Sequence, residues 1–260
     1  MEEKNKIIFS AAAFLVVIAA GIAIYFLFFR SAPEKIPPTE QVEESVALPE
    51  EKVAEPEPKE TAYAPIYADI EESDSLVREL IKKISENPKL AQWLSTKDII
   101  RKFTAAVDNI ANGQSPRAHI DFFQPDGQFE VVEKNGMLYM DPDSYERYDP
   151  VANVFASLDP EETVILFRRF KPGIDEAYSE LGYPDTDFEV TLKKAINELL
   201  EVPVAKDVLL ESKVISYEMV DPKLENLSEA QKHLLRMGPE NIQKIQQKLR
   251  ELKSALDKIK

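Results

Sequence analysis

The stretch IIFSAAAFLVVIAAGIAIYFLFF (Ile7–Phe29) determines the layout of this chain, because it contains no charged residue. As a helix rising about 1.5 Å per residue it would be roughly 34 Å long, enough to cross a hydrocarbon core of about 30 Å. A cleaved signal peptide is the alternative, but its apolar region is shorter and ends in small residues. Here Arg30 follows the apolar run directly. We therefore predict an uncleaved single-pass anchor at 7–29, behind a short N-terminal tail of residues 1–6.

The charges on either side of this span nearly balance. Lys4 and Lys6 precede it, and Arg30 and Lys35 follow it. The long part after the span is acidic, and long domains translocate largely regardless of their charge, which favours translocation of that part. We expect the short N-terminal tail to lie inside the cell and the rest of the chain to lie on the other side of the membrane.

Residues 30–72 have the composition of a linker, with many prolines and glutamates and no glycine. Low hydrophobicity combined with negative charge cannot offset the entropy of ordering, and proline keeps such a chain extended. We predict a disordered acidic spacer. A proline-rich ligand for a partner is the alternative, and residues 62–67 (AYAPIY) are its most apolar patch.

The composition excludes several classes of function. The formal net charge is −15 at pH 7, and nucleic-acid binding requires a clustered basic surface. There is no cysteine, which excludes disulfides, thiolate zinc sites and cysteine nucleophiles. Only two histidines are present, His119 and His233, and they are far apart in sequence. We predict no nucleic-acid partner, no cofactor and no metal site.

From residue 73 onward the pattern changes to short amphipathic helices. A residue typical of a helix N-cap is followed by proline at five places: Asn87, Ser115, Asp141, Asp159 and Asp221. We expect Thr96 to cap a longer helix that ends at Gly113, and Ser228 and Gln231 to form a capping box. Capping-box spacing also links Asp159 to Glu162. Within the helix that starts at Pro160, Pro172 predicts a kink or break near Phe170.

Two stretches are typical of β-strands. Residues 129–133 and 137–140 flank Lys134-Asn135-Gly136, and Asn-Gly favours a tight hairpin turn. Residues 208–220 alternate between polar and apolar and could pair with that hairpin. The predicted fold class is mainly α (α+β): a multi-helical globular domain at 73–260 with a small antiparallel sheet.

Four segments resemble one bacterial family: FTAAVDNIANGQSPRAH (103–119), YERYD (145–149), DEAYSELGYP (175–184) and AQKHLLRMGPENIQKIQQKL (230–249). They are similar to the "domain of unknown function 3014" family, and the similarity spans roughly residues 73–256. The resemblance implies a single-pass envelope protein of a Gram-negative bacterium whose C-terminal domain is periplasmic. It implies no substrate, cofactor or catalytic residue.

Candidate binding residues fall into three groups. Arg117 and His119 combine a cation and an imidazole that could bind a carboxylate or a phosphoester. Arg147 and Tyr148 form a second polar and aromatic group. The third consists of Asp175, Glu176, Tyr178 and Tyr183. If the second and third groups meet, Arg147 would face Asp175 or Glu176 across a groove. The alternative for every group is a purely structural role, such as a buried polar network.

The last helix has the spacing of a coiled-coil seam. Its apolar residues step by three and four along the chain: Ile242, Ile245, Leu249, Leu252, Leu256 and Ile259. About two and a half heptads are too few to distinguish a partner-helix seam from packing within the domain. A protein partner or a second copy therefore remains an alternative to the domain core.

These observations predict a non-enzymatic envelope adaptor held at the inner membrane by residues 7–29, with a protein partner. No serine-nucleophile, Walker or dinucleotide-binding pattern is present. The alternative is a hydrolase that acts on cell-wall or glycan material through two carboxylates, since that chemistry needs only two acids at a set separation.

Overall fold

The computed structural model describes residues 63–120, 125, 127–184, 186–214 and 216–259. The predicted anchor at 7–29 and the linker up to residue 62 lie outside the described residues. Among the residues that are described, no helix combines the length and the apolar character needed to cross a bilayer.

The described part of the chain is mainly helical. It contains α1 (Ser73–Leu80), α2 (Pro88–Trp93), α3 (Ile99–Ala111), α4 (Asp143–Glu146), α5 (Asp149–Ala156), α6 (Pro160–Glu180), α7 (Phe188–Leu200), α8 (Pro222–Glu225), α9 (Glu229–Leu235) and α10 (Pro239–Lys258). Short 3₁₀ helices span Ile81–Lys83 and Pro116–Ala118. Helices α3, α6, α7 and α10 pack against one another, and α5 packs on α10.

The seam residues of α10 belong to the core of the domain itself. Ile242, Ile245, Leu249, Leu252 and Leu256 are all buried, and α10 packs on α5, α6 and α7. The amide of Gln246, also on α10, donates to the carbonyls of Leu199, Leu200 and Val202 at the end of α7. Of the two alternatives for the 3-4 spacing, the structure places these side chains in the domain core.

Most of the predicted caps are present. The side chains of Asn87, Ser115 and Asp221 each accept a hydrogen bond from the amide two residues on, and Asp141 accepts from the amide of Asp143 at 3.0 Å. Asp159 accepts from the amide of Glu162 at 2.8 Å. Ser228 and Gln231 form the reciprocal capping box. These interactions are local in sequence, which is why their pattern is readable there.

The prediction that Thr96 caps α3 is wrong. The N-cap position is Asp98, which has a left-handed backbone and forms no cap hydrogen bond of its own. Instead, the carboxylate of Asp74 in α1 accepts from the amides of Asp98 and Ile99 at 3.0 and 2.9 Å. Arg78 donates to the carbonyl of Thr96 at 2.7 Å. The backbone amides of Asp98 and Ile99, at the start of α3, therefore have their hydrogen-bond acceptor on the neighbouring helix α1. Its other end, at Gly113, is as predicted, with a positive φ of 68°.

Helix α6 continues through Pro172 from Pro160 to Glu180, so the predicted break near Phe170 is wrong. Proline removes one backbone hydrogen bond, but packing on both sides of it can hold the turns in place. Phe170 and Ile174 flank the proline and are both buried in the core.

Four short strands form one antiparallel sheet in the order β1-β2-β3-β4. The strands are β1 (Val131–Lys134), β2 (Met137–Met140), β3 (Leu209–Ser212) and β4 (Tyr217–Met219). The predicted first hairpin is confirmed, with Asn135 and Gly136 both at positive φ. The second stretch is not one strand, because it turns back after Lys213, whose amide donates to the Ser216 carbonyl at 2.8 Å. It does pair with the first hairpin, through β2 and β3.

The packed domain begins before residue 73. The amide of Ile66 donates to the carbonyl of Arg169 at 2.7 Å, and Ile70 is buried in the core. Both residues fall within the stretch that the sequence analysis assigned to the linker. Tyr67, in the same apolar patch, is exposed.

Candidate functional site

A cavity of about 910 Å³ lies beside the sheet. Its described walls come from five places in the chain: the 3₁₀ helix at Pro116–Ala118, the described part of residues 120–129, the turn between α4 and α5 with the start of α5, the inner face of β2–β4 with its last turn, and the end of α9. This volume is in the range of small-molecule sites in proteins.

Four cationic side chains line the cavity: Arg117, Arg147, Lys213 and Arg236. Lys213 is paired, because its ammonium lies 2.7 Å from Glu211 and 3.3 Å from Glu218. The three arginines form no ion pair with any residue in the described ranges. In a chain with a net charge of −15, the described lining is thus a local concentration of guanidinium groups.

Arg147 is the most constrained of these cations. Its Nε and Nη1 atoms are buried and have no hydrogen-bond partner in the part of the chain that the structure describes. The guanidinium carbon lies 5.6 Å from the ring centroid of Tyr148, which also lines the cavity. A cation–π contact of this kind compensates only part of the lost hydration. Arg147 therefore belongs to the cavity wall with two buried donors that no described residue uses.

The acids nearest to Arg236 are engaged by another residue. Glu225 and Glu229 pair with the half-buried Lys232 at 3.1 and 3.0 Å, and Glu225 also accepts from the amide of Met219 at 2.8 Å. This amide hydrogen bond, helped by Lys232, keeps the pKa of Glu225 below its ordinary value although burial opposes it. Arg236 itself forms no ion pair among the described residues, although its charge also helps to lower the pKa of Glu225.

The pKa of His233 is affected by the positive charges around the site. Burial, together with the charges of Arg236 and Arg117, lowers its pKa to about 4, against a weaker opposing effect of Glu229. Its Nε2 atom lies 3.5 Å from the hydroxyl of Ser115. At neutral pH the ring is therefore uncharged and polar.

The floor of the cavity is apolar. Met140, Leu210 and Met219 come from three adjacent strands and are buried. Residues paired across an antiparallel ladder lie on the same face, and Leu210 pairs with Met219. Phe129 and Tyr217 extend this surface, with ring centroids 6.2 Å apart. The cavity thus combines an apolar floor with cationic walls.

Contacts between two distant segments fix the position of Arg147. The backbone of Gly238, between α9 and α10, lies directly against the ring of Tyr145. The amide of the buried Asn241 donates to the Tyr145 carbonyl at 3.1 Å and to the Asp149 carboxylate at 3.0 Å. The turn that contains Arg147 and Tyr148 is therefore joined at both ends to the start of α10.

Residues 99–253 match the sequence profile of a family described as "Protein of unknown function (DUF3014)". The chain belongs to this family. No curated protein and no solved structure matches the chain significantly. Within the DUF3014 domain, three of the four resembling segments meet at the cavity, because 103–119, 145–149 and 230–249 contribute Arg117, Arg147 and Arg236.

Of the predicted binding residues, Arg117, Arg147 and Tyr148 come together at the cavity of the DUF3014 domain. His119 is not part of the lining. It ends the 3₁₀ helix, where its amide donates to the Pro116 carbonyl at 2.9 Å. Sequence reasoning did not identify Arg236, Lys213 or the methionines. Of these residues only Arg236 had a signal in the sequence, its position three residues after His233. That spacing is equally typical of ordinary helix surfaces.

The third predicted group lies elsewhere, where α6 packs on α7. The hydroxyl of the buried Tyr178 lies 2.8 Å from that of Thr191, and its ring stacks on Tyr183 at 4.7 Å. Asp175 pairs with Lys171 at 2.8 Å, and Glu176 is exposed. The expected contact of Arg147 with Asp175 or Glu176 is not formed, so the two groups do not line a common groove. Tyr178 has a structural role.

The described lining of the cavity contains no aspartate or glutamate. Across the described ranges, no group of three or more histidine, aspartate or glutamate residues is arranged to bind a metal. This arrangement can bind an anion through guanidinium donors next to an apolar surface.

Proposed function

We propose that this DUF3014 protein is a non-enzymatic interaction module of the bacterial envelope, anchored in the inner membrane by residues 7–29. Its periplasmic domain recognises its partner through an anionic group bound in the cavity described above. One observation carries this proposal: Arg147 has buried donors without a partner among the described residues, at the wall of a cavity lined by two further arginines that form no ion pair in the described ranges.

The physical argument concerns the cost of leaving a guanidinium unpaired. A buried charge without a partner destabilises the fold by several kcal/mol unless something compensates it. Structural arginines in this domain are compensated: Arg168, for example, pairs with Glu189 and donates to the Ile259 carbonyl. Arg147 differs because no described acid or carbonyl pairs with it. A carboxylate or phosphate would supply acceptors that the described residues do not provide.

The hydrolase alternative has no comparable support. Hydrolysis by paired carboxylates requires two acids that face each other across a cleft. The described lining of the cavity contains arginines instead, and no observation elsewhere in the described residues favours that chemistry.

Anion binding can be tested on a fragment of residues 56–260, which contains the whole hydrophobic core that the structure describes. Inorganic phosphate is titrated at constant ionic strength while backbone amide shifts are followed by NMR. We expect saturable shifts at Arg117, Arg147 and Arg236. Arg147→Gln should weaken phosphate binding at least about tenfold, since a charge-assisted hydrogen bond is lost. The same substitution should leave the melting temperature unchanged or raise it, because an uncompensated charge is removed.

Arg250→Gln is the matched control. Arg250 is exposed on α10 and does not line the cavity, so this variant should bind phosphate like the wild type. Non-saturable shifts, or an equal effect of the two substitutions, would refute anion binding at this site.

A further inference from the structure

The cavity contains more apolar surface than an anion alone would use. Its floor is formed by Met140, Leu210 and Met219, and Met237 lies beside Arg236 on the wall. Three of the five methionines of the chain thus surround this one cavity. Methionine is unbranched and polarisable, so it adapts to apolar ligands of different shape.

We infer that the ligand of this cavity is an amphiphilic acid, in which a carboxylate or phosphate is attached directly to an apolar body. This inference rests on the proposed function, because it specifies the ligand of the same site. The anionic group pairs with Arg147 and its neighbours Arg117 and Arg236. The apolar body lies on the floor formed by Met140, Leu210 and Met219.

Charge and position exclude the simpler ligands. A purely polar anion, such as a free sugar phosphate, would bury hydroxyl groups on the methionine floor without hydrogen-bond partners, which is costly. A neutral apolar molecule would leave the Arg147 donors unsatisfied. Only a ligand that combines both characters compensates the guanidinium and covers the floor.

The volume limits the size of the ligand. About 910 Å³ is the size of a site for a small molecule or for one chain end, and less than a folded partner requires. Two sources supply this chemistry: a free acyl acid, or the C-terminal carboxylate of a partner chain whose last side chains are apolar. Both present a carboxylate next to an apolar group.

The methionines themselves provide the measurement. The 56–260 fragment is labelled with ¹³C at the methionine methyl groups and titrated with octanoate, acetate and octyl glucoside. We expect octanoate to shift the Met140, Met219 and Met237 methyls and to bind at least about tenfold more tightly than acetate, because apolar area is buried. Octyl glucoside lacks the anionic group and should cause no saturable shift at these three methyls. Met137 is the internal control, since it is exposed on the opposite face of β2 from Met140.

A matched pair of variants tests the floor. Met237→Gln, at the half-buried cavity wall, should weaken octanoate binding at least about threefold without affecting acetate. Met137→Gln should change the binding of neither octanoate nor acetate. The two sources are separated by a short peptide that ends in Phe-Leu with a free carboxylate, compared with its C-terminal amide. Tighter binding of the peptide acid than of octanoate supports a chain end, and the reverse supports an acyl acid.

The failures of the two proposals are distinguishable. If phosphate and acetate bind but octanoate binds no more tightly than acetate, the amphiphile inference is overturned and the proposed anion site stands. If octyl glucoside binds as tightly as octanoate, the arginines are not used and the inference is overturned as well. If no anion of any kind binds, both proposals fail.

Discussion

The ring of Tyr145 lies directly on the backbone of Gly238, and this contact brings the α4–α5 turn against the start of α10. A Cβ added at Gly238 would lie 2.7 Å from Tyr145 Cβ and closer still to Cγ. Gly238 also has φ 83° and ψ 163°, a region of backbone conformation that essentially only glycine occupies. Close approach and backbone conformation therefore both require glycine here.

Gly238→Ala is expected to destabilise the domain by more than about 3 kcal/mol, since backbone strain and overpacking add at the same position. Gly136→Ala is the matched control. Gly136 also has a positive φ, of 74°, but nothing lies near its missing Cβ, so only about 1 kcal/mol of backbone strain is expected. Denaturant unfolding of both variants measures the difference. Equal losses at the two positions would show that Tyr145 does not press on residue 238.

The burial of the α10 seam leads to a second prediction. Leu249→Ala should cost about 2–5 kcal/mol of unfolding free energy, because it opens a cavity among α10, α6 and α7. Gln247→Ala, two residues away on the exposed side of the same helix, should change stability by less than about 0.5 kcal/mol. Sedimentation should give the same mass for both variants as for the wild type. A Leu249→Ala variant that keeps wild-type stability but changes its mass would favour a seam between chains instead.

Sequence reasoning succeeded in this domain where the determinants are local. Ser228 and Gln231 are three residues apart, and the Asn135-Gly136 turn needs only its two central residues to adopt positive φ. The first turn of α3 could not be predicted in the same way. Its amides bond to Asp74, 24 and 25 residues upstream, so no local pattern distinguishes that carboxylate from any other.

The candidate site was predictable in part for the same reason. The sequence predicts Arg117 as a ligand residue because an imidazole, His119, lies two residues away, and Arg147 because it stands in a polar and aromatic segment. Their convergence with Arg236 depends on the contacts of Tyr145 and Asn241 with the start of α10. Arg236 forms no ion pair among the described residues, and Lys232 holds Glu225 and Glu229. Neither the convergence of these arginines nor the pairing state of Arg236 can be predicted from the spacing of residues along the chain.

The depressed pKa of His233 predicts a pH dependence of stability. Its usual value is near 6.5 and its folded value is about 4, so between these pH values the unfolded chain binds a proton that the folded domain does not. The contribution of His233 to the free energy of unfolding is fully present above pH 6.5 and is lost as the pH falls toward 4. The loss should be about 1–2 kcal/mol, because the ring is only partly buried and solvent screens the effect.

His233→Gln isolates this contribution from the carboxylates that titrate in the same range. The unfolding free energies of the wild type and the variant are compared by denaturant titration at pH 7.5, 6 and 4.5. The advantage of the wild type should shrink as the pH falls. A constant difference across these pH values would contradict a depressed pKa at His233.

The predicted anchor at 7–29 lies outside the described residues and needs its own test. The chain has no cysteine, so Ser45→Cys in the full chain introduces a single reporter between the anchor and the domain. In cells with a permeabilised outer membrane, a membrane-impermeant thiol reagent should label this cysteine, since we expect the long C-terminal part to be translocated. Asn5→Cys, on the other side of the apolar run, is the matched control and should react only after the inner membrane is lysed. The opposite labelling pattern would reverse the orientation. Labelling of both positions only after lysis, with the protein in the soluble fraction, would rule out the anchor, because a 23-residue uncharged helix in a bilayer stays with the membrane.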